Sequence, residues 1–409
     1  MSIDQPNVRQ ALVYKKGQLA ASLTQTDGVT KFEYFGEYLA NKSAAPIATT
    51  LPLDGPAITL TNGATPAFFA GLLPEGPRLL AIRDRIKTSL NDELSLLLDI
   101  GADLIGDVQV LPPGADPQTT REVFEIPSKN AEFDFTKIRD EFIGSRASGL
   151  PGVQDKISSR MLNAPVKIAG IEYLLKLNPQ SAPHAVENEA FFLALANKCG
   201  IETAAFDLLT DSHGQHALRL RRFDRITNFE TVAHASSRLR LAAEDGCQTM
   251  NRYPSEKYLV DFVEMANQLA AHCPAKSVAG LNLFKQLVFA WLIGNGDAHS
   301  KNFSILENQK GEFMVSPAYD LLCTRFYDDR TMALAIDGEK ENWSRATLIS
   351  AAERMLVPAK LAEKVIDAQL ATLKDLPSQI LDACLPFARH LNIDVSNFLK
   401  QRAKRLRAD

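Results

Sequence analysis

The sequence lacks the patterns that mark several common classes of protein. Only 5 of its 409 residues are cysteine, their number is odd and no C-x-x-C pair occurs, so neither a disulfide framework nor a zinc knuckle is predicted. We expect these cysteines to be buried thiols. No segment reaches the roughly 18 uncharged apolar residues that span a bilayer, and the first residues carry no apolar core of signal-peptide length. A cytoplasmic protein without membrane contact is therefore expected.

Several enzyme signatures are also missing. The chain has no G-x-S-x-G elbow and no H-E-x-x-H motif, which argues against a hydrolase or a zinc protease. Residues 101–107 lack the Lys-Ser/Thr pair of a P-loop, and residues 294–296 lack the third glycine of a dinucleotide-binding loop. His213 and His216 have no third ligand in the same turn, so we expect a solvated pair.

The chain carries no strong charge of either sign. Its formal net charge is -4, which provides no overall field to attract nucleic acid, so any DNA contact must be local or shared with a partner. One dense basic run lies near the C-terminal end. We interpret it as a frayed, solvated helix end, with contact to nucleic acid or to a partner as the alternative. Its members are Lys400, Arg402, Lys404, Arg405 and Arg407.

Length and pattern predict three units. A chain of 409 residues is too long for one typical core. Residues 11–60 hold short strand-like segments separated by Gly, Asp and Asn turns, and residues 79–100 show apolar positions at helical spacing. Residues 112–117, with three prolines and a glycine, form the clearest linker. We predict a β-rich N-terminal subdomain over residues 1–112.

The remainder divides into a mixed unit and a helical unit, which makes the fold class α+β. Residues 113–224 predict a small lobe, and residues 225–409 predict a mostly helical large lobe. In the small lobe we expect strands at 172–177, 205–210 and 217–222 and a helix at 187–198. In the large lobe we expect helices at 254–271, at 281–294 and from 345 to the end.

The segment with the most chemistry is residues 294–302. An apolar helix stops at a Gly-Asn-Gly break, a polar loop follows, and an apolar strand resumes. Asp297 and Asn302 are five residues apart, the separation of the base and the metal-binding asparagine in the kinase loop H-R-D-x-x-x-x-N. A carboxylate can accept the proton of a substrate hydroxyl, and an amide oxygen can help to hold Mg²⁺. This pair predicts phosphoryl transfer.

Asp320 is the candidate for a charged metal ligand. It lies eighteen residues beyond Asn302, and Tyr319-Asp320-Leu321 occupies the slot of Asp-Phe-Gly, although the glycine is absent. Taken alone, this aspartate could equally be a helix N-cap. Its position after the polar loop favours a metal ligand.

Lys176 is the candidate phosphate-binding cation. A lysine in a strand usually faces solvent on a sheet edge. Here the following helix begins Glu187-Asn188-Glu189, which offers the acidic partner that a kinase lysine requires. The spacing does not decide between Glu187 and Glu189.

Two further segments have both a plain and a functional interpretation. Residues 148–156 form a turn with two glycines and a terminal lysine, which suits an ordinary surface turn or a loop that presents backbone N–H groups to phosphate. Residues 244–248 suit a helix start, or a polar patch that positions substrate beside a cleft.

Over nearly its whole length the chain resembles the HipA-type serine/threonine kinases, which are toxins of bacterial toxin-antitoxin pairs. Several ordered motifs carry this resemblance. They are FFAGLLPEG at 68–76, GVQDK at 152–156, LLKL at 174–177, ENE at 187–189, RFDR at 222–225, EDGCQ at 244–248, NGDAHSKN at 295–302 and PAYDL at 317–321.

The resemblance implies a two-lobed protein-kinase-like fold with an additional N-terminal subdomain, and ATP and Mg²⁺ as cofactors. Asp297 would be the general base, and Asn302 and Asp320 would be the metal ligands. The implied nucleotide-binding residues fall in a phosphate loop, a strand lysine, a hinge and the catalytic cleft. They are Pro151, Gly152, Val153, Gln154, Asp155, Lys156, Lys176, Arg221, Arg222, Phe223, His299, Ser300, Lys301, Asn302, Tyr319 and Asp320.

The same resemblance implies partners. These are a helix-turn-helix antitoxin of the HipB type, operator DNA contacted mainly through that antitoxin, and a protein substrate such as an aminoacyl-tRNA synthetase.

Two positions depart from the family pattern. Gly149 stands where relatives carry an autophosphorylated serine, which leaves Ser148 as the candidate, and Arg221 stands where the hinge often has glutamate. The competing hypotheses are an inert co-repressor scaffold that binds the antitoxin and a small-molecule kinase.

Overall fold

A computed structural model describes residues 8–118, 124–126, 133–143, 161–168, 171–179, 181–226 and 239–407. The described residues form four β-sheets and thirteen α-helices, a mixture that agrees with the predicted α+β class. The predicted phosphate loop, Pro151 to Lys156, and the candidate Ser148 lie outside the described residues.

The N-terminal subdomain is an antiparallel sheet backed by short helices. Its strand order is β4-β3-β2-β1-β5. Lys16-Gly17 and Asp27-Gly28 join its first three strands, and all four residues have positive φ, as two-residue hairpin turns require. The strands are β1 Val8–Lys15, β2 Gln18–Thr26, β3 Val29–Tyr34, β4 Ile58–Leu60 and β5 Val108–Leu111. The helices are α1 Gly36–Leu39, α2 Ala67–Leu72, α3 Gly76–Ile86 and α4 Glu93–Ile100.

The small lobe is a second five-stranded sheet, with the order β6-β7-β8-β10-β9. The three predicted strands are confirmed. Strands β6 and β7 were not predicted, and in β7 the residues Asn163 and Pro165 interrupt the strand pattern. Strand β8, which carries Lys176, lies between β7 and β10, so the edge-strand interpretation of this lysine is wrong. The strands are β6 Phe124–Ile126, β7 Leu162–Ile168, β8 Ile171–Leu177, β9 Phe206–Thr210 and β10 His216–Arg221. The helices are α5 Phe135–Ile143 and α6 Ala185–Lys198.

The large lobe is mostly helical, as predicted, with small sheets on the side of the cleft. The helix expected at 254–271 is in fact two elements, because Asp261 caps a new helix by accepting the N–H of Val263 at 2.8 Å. The helices are α7 Gly246–Thr249, α8 Phe262–Ala271, α9 Lys276–Ile293, α10 Arg345–Arg354, α11 Ala359–Thr372, α12 Leu376–Leu381 and α13 Arg389–Leu406. The strands are β11 Arg225–Ile226, β12 Leu239–Arg240, β13 Ala243–Asp245, β14 Ser304–Glu307 and β15 Phe313–Val315.

Two sequence-based expectations about exposure are wrong in part. The C-terminal basic run is solvated at Lys400, Lys404, Arg405 and Arg407, as expected, but Arg402 is buried and donates to the carbonyls of Trp291 at 2.9 Å and Arg330 at 3.0 Å, so this helix end is not frayed. The cysteines are not uniformly buried, since Cys384 is exposed and Cys199 is half-buried. Among the described residues, every helix is too short or too polar to span a bilayer.

Candidate active site

Local geometry shapes the loop that carries Asp297 and Asn302. Helix α9 ends at Gly294, which has φ of 72°. A Cβ on Gly296 would lie 2.5 Å from the carbonyl oxygen of Thr331, so this position excludes larger residues. A 3-10 turn over Ser300–Asn302 then leads into β14, and it is closed by a bond from the His299 N–H to Asn302 Oδ1 at 2.9 Å.

Asp297 is buried inside this loop, with only 2% of its surface exposed. The hydroxyl of Tyr258 donates to its Oδ1 at 2.9 Å. The ring of Tyr258 also meets His299 edge-on, with 5.2 Å between ring centroids. Tyr258 was not identified from the sequence, because the pattern around it gives no signal of contact with a loop 39 residues away.

The two predicted metal ligands lie together. Asn302 Nδ2 donates to Asp320 Oδ2 at 2.8 Å. Asp320 has φ of 54°, a left-handed conformation that aspartate tolerates better than most residues. Asn295 Nδ2 donates to the carbonyl of Asp320 at 3.0 Å and fixes this backbone. The oxygen of Asn302 uses one lone pair on His299, which leaves a second for a cation.

Lys176 reaches the same point from the small lobe. Its Nζ donates to both carboxylate oxygens of Glu189 at 2.8 Å and pairs with Asp320. Glu189, and not Glu187, is therefore its partner on α6. Glu187 instead accepts from Asn178 Nδ2 at 2.8 Å and lies 2.9 Å from Nδ1 of His216, so that histidine is not simply solvated.

Charge stabilises this cluster. Burial opposes the positive charge of Lys176, but Asp320 and Glu189 outweigh it and raise the pKa of the lysine. Burial raises the pKa of Glu189 above its ordinary value, since desolvation outweighs the attraction of the lysine. Lys176 consequently remains a cation at neutral pH.

A cavity of about 300 Å³ opens beside this cluster, and all three units line it. Its lining includes apolar side chains, such as Leu174, Leu220 and Phe223, and polar ones, such as Lys176. The predicted site residues that line it are Lys176, Arg221, Arg222, Phe223, His299, Lys301, Asn302, Tyr319 and Asp320. An apolar surface beside a few convergent polar groups is typical of a small-molecule site.

Among the predicted site residues that the structure describes, two do not line this cavity. Asp297 is buried and is not among the lining residues. Ser300 is fully buried, and its hydroxyl donates to the carbonyl of Lys257 at 3.0 Å, so we withdraw its side chain from the nucleotide site. Lys301 lines the cavity, but its ammonium is already bound to the carbonyl of Gly71 at 2.8 Å and to Asp245 at 3.0 Å.

The hinge residue Arg222 is also engaged. It pairs with Asp224 and Asp103, each at 2.7 Å, so it links the small lobe to the N-terminal subdomain. Burial opposes ionisation of Asp224, but Arg222 and Arg225 outweigh it and hold the pKa of this carboxyl well below its usual range. Asp103 and its neighbours Leu104 and Ile105 line the cavity, a role that the sequence did not predict.

The helix start over residues 244–248 is confirmed. Asp245 accepts the N–H of Gln248 at 2.9 Å, and the Gln248 side chain accepts the N–H of Asp245 at 2.9 Å, which completes a capping box. Both side chains also line the cavity. The segment therefore serves as a helix start and as part of the cleft wall.

Comparisons with known proteins place these features in a family context. Residues 148–376 match the family described as the HipA-like C-terminal domain, and residues 11–111 match the HipA N-terminal domain. A putative kinase of Sinorhizobium fredii is 29% identical over 351 residues, with 80% of each chain covered. The serine/threonine-protein kinase toxin HipA of Shewanella oneidensis is 27% identical over 332 residues, which cover 73% of this chain and 72% of the relative.

The fold has a close counterpart among solved structures. A Shewanella oneidensis HipA, in a complex with HipB and operator DNA, superposes with a TM-score of 0.74 at 21% identity, and 97% of each chain is covered. This likeness confirms the predicted fold class, a two-lobed kinase-like fold with an N-terminal sheet subdomain and a helical C-terminal lobe.

Proposed function

The chain belongs to the HipA-like family of kinases, and from that premise we propose that it is an ATP- and Mg²⁺-dependent serine/threonine protein kinase that acts as a toxin. The observation that carries the proposal is the convergence of Lys176, Asn302 and Asp320, which contact one another and line the cavity. A scaffold without activity would not need a buried lysine held between two carboxylates.

The residues present suit Mg²⁺-ATP. Asp320 and the second lone pair of Asn302 are oxygen ligands of the kind that Mg²⁺ prefers, and Lys176 is a charged donor suited to phosphate. When bound, the metal would supply neutralisation of charge on the phosphates. The apolar part of the cavity, with Leu174, Leu220 and Phe223, offers a surface for the adenine ring.

Each protein group has a separate task in this proposal. Glu189 holds the ammonium of Lys176 in place, and Asn295 fixes the backbone that presents Asp320. Asp297 accepts the proton of the substrate hydroxyl and orients its oxygen for attack on the terminal phosphate. The positions of these groups are set before substrate arrives, which lowers the cost of reorganisation during transfer.

The proposal extends to partners and location. We infer that the chain works in the cytoplasm, that it binds a HipB-type antitoxin which carries most of the contact with operator DNA, and that it phosphorylates an aminoacyl-tRNA synthetase or another translation protein. The complex of the Shewanella oneidensis HipA with HipB and its operator DNA supports the choice of partner.

The test combines binding, transfer and growth. Mg²⁺-ATP should raise the thermal unfolding temperature of the purified protein, since binding to the folded state stabilises it, and induced expression should arrest growth. Asp297→Ala should abolish both phosphate transfer and growth arrest while the protein still binds Mg²⁺-ATP. Phosphoproteomics after induction should reveal a modified translation protein.

The same measurements separate the competing functions. If Mg²⁺-ATP causes no thermal shift, the chain is a binding scaffold and not a kinase. If it binds and consumes ATP but no cellular protein gains phosphate, the substrate is a small molecule. If Asp297→Ala still transfers phosphate, Asp297 is not the base.

A further inference from the structure

A two-residue segment of the large lobe, Lys257-Tyr258, braces the catalytic loop at two points. The hydroxyl of Tyr258 donates to Asp297 Oδ1 at 2.9 Å. The carbonyl of Lys257 accepts both the N–H of Ser300 at 3.2 Å and its hydroxyl at 3.0 Å. One short segment thus fixes the loop at the candidate base and again three residues later.

The tyrosine is suited to hold a carboxylate. Burial, together with the negative charge of Asp297, raises the pKa of Tyr258, so its hydroxyl stays protonated and acts as a donor at neutral pH. A carboxylate rotates about one bond, and a fixed donor on one of its oxygens selects a single orientation. The contact between the Tyr258 ring and His299 limits movement of the tyrosine itself.

The segment is tied in turn to the N-terminal subdomain. The buried side chain of Lys257 pairs with Glu75, the residue that precedes helix α3. Two neighbouring contacts reinforce this attachment: Gln248 Nε2 donates to the carbonyl of Phe68 at 2.9 Å, and Lys301 Nζ donates to the carbonyl of Gly71 at 2.8 Å. Residues 68–75 of the N-terminal subdomain therefore contact the surroundings of the catalytic loop repeatedly.

We propose that Tyr258 is a positioning residue for Asp297, and that the N-terminal subdomain holds this tyrosine in place through the Glu75–Lys257 pair. The inference rests on the proposed kinase function, and it assigns the N-terminal subdomain a direct part in phosphoryl transfer. Tyr258 acts on the transfer step and not on nucleotide binding, because it is not among the described residues that line the cavity, whereas Glu75, the partner of Lys257, does line it.

The test compares Tyr258→Phe with Tyr253→Phe in the full chain. Tyr253 is the matched control, because it lies five residues away and its hydroxyl donates to the carbonyl of Thr65 in the N-terminal subdomain at 2.9 Å, whereas that of Tyr258 donates to the catalytic loop. With Mg²⁺-ATP and the proteins of a bacterial extract, Tyr258→Phe should lower the maximal rate of γ-phosphate transfer about 10- to 100-fold with an unchanged KM for ATP. Tyr253→Phe should stay within about twofold.

A second comparison tests the link to the N-terminal subdomain. Lys257→Met should lower the maximal rate in the same direction. Because both substitutions act through the orientation of Asp297, the double variant with Tyr258→Phe should be little slower than Tyr258→Phe alone. Thermal unfolding with and without Mg²⁺-ATP establishes that each variant is folded and binds nucleotide.

The outcomes separate this inference from the function on which it rests. If the unmodified protein transfers no phosphate, the proposed function fails and takes the inference with it. If the unmodified protein is active and Tyr258→Phe transfers phosphate at the same maximal rate, only the inference is overturned. A Tyr258→Phe effect confined to the KM for ATP, or fully additive losses in the double variant, would also overturn it.

Discussion

Glu187 and Glu189 lie on the same helix but contact different side chains. Side chains two positions apart on an α-helix leave its axis about 200° apart. Glu189 is fully buried against Lys176, whereas Glu187 faces Asn178 and His216 at the margin of the lobe. Their separation provides a matched pair for testing the role of the buried ion pair.

We expect Glu189→Gln to lower the rate of phosphate transfer roughly 10- to 100-fold, because a neutral amide cannot hold the ammonium of Lys176 as tightly. Glu187→Gln should change the rate by no more than about threefold, since its partners lie outside the cluster. Initial rates at saturating Mg²⁺-ATP, with thermal unfolding of both variants, provide the measurement. Equal losses in the two variants would contradict the assignment.

At the scale of residues, sequence spacing identified candidate site residues more readily than it identified the contacts between them. The interval between Asp297 and Asn302 and the position of Asp320 pointed to three residues, of which the fold brings Asn302 and Asp320 into hydrogen-bonding contact. The choice of Glu189 over Glu187 was left open, because it depends on the rotation of α6 against the sheet. Tyr258 was missed, because a side-chain hydrogen bond between distant segments leaves no periodic trace in the sequence.

The short helix α7 packs directly against the catalytic loop. Gly246 begins this helix, and a Cβ there would lie 2.7 Å from the carbonyl oxygen of Ser300 and 2.7 Å from Cγ of Met265. The first contact is with backbone and cannot be relieved by a rotamer change. The absence of a side chain at this position is what allows helix and loop to approach.

Gly246→Ala should therefore destabilise the protein by about 1 to 3 kcal/mol, as overpacking of a close contact does. It should also slow phosphate transfer, since the carbonyl of Ser300 must move. Gly36→Ala is the control, because nothing lies within 4 Å of a Cβ at that position and its φ is unstrained. Urea denaturation and transfer rates measure the two effects, and similar stability of both variants would refute the packing argument.

Helices and strands could be predicted where the local sequence pattern and the tertiary environment favour the same structure. The hairpins of the N-terminal sheet and the end of α6 at Cys199-Gly200 follow from glycine turns and apolar spacing. Strand β7 escaped prediction because Pro165 is unfavourable within a strand, and pairing with β8 outweighs that preference. The break before α8 was missed because the cap at Asp261 lies inside a segment that is otherwise apolar at helical spacing.

An ionic network joins the N-terminal subdomain to the small lobe. Asp224 accepts from Arg222 and Arg225, each at 2.7 Å, and from the N–H of Gly106 at 2.9 Å, while Asp103 pairs with the same two arginines. These bonds depress the pKa of Asp224 in the folded state. Its contribution to stability is therefore fully present above the unfolded-state pKa of about 3.9 and is lost as the pH falls through the lower folded-state value.

We expect Asp224→Asn to cost about 3 kcal/mol or more near neutral pH, because two buried arginines lose a carboxylate partner. The difference from the unmodified protein should shrink only below about pH 4, where the Asp224 carboxyl of the unfolded chain begins to bind a proton while that of the folded protein remains ionised. Urea denaturation across this pH range is the measurement. Asp207→Asn, at an exposed pair with Arg219, should cost less than about 1 kcal/mol at any pH.

At the scale of the whole molecule, the number of units and the secondary structure of each could be predicted from the length and the sequence pattern. The boundaries placed at residues 112 and 224 stay predictions. The contribution of the N-terminal subdomain to the lining of the cleft could not be predicted from the sequence. Leu104 and Ile105 are apolar residues of an ordinary turn in the sequence, and only the packing of three units brings them to the cavity.

The contact between Lys176 and Asp320 has a thermodynamic consequence. A nucleotide alone would bring its phosphates close to the carboxylate of Asp320, and a cation alone would compete with Lys176 for that carboxylate. We expect each to bind weakly alone and strongly together. By reciprocity, magnesium should raise the affinity for ATP by the same factor as ATP raises the affinity for magnesium.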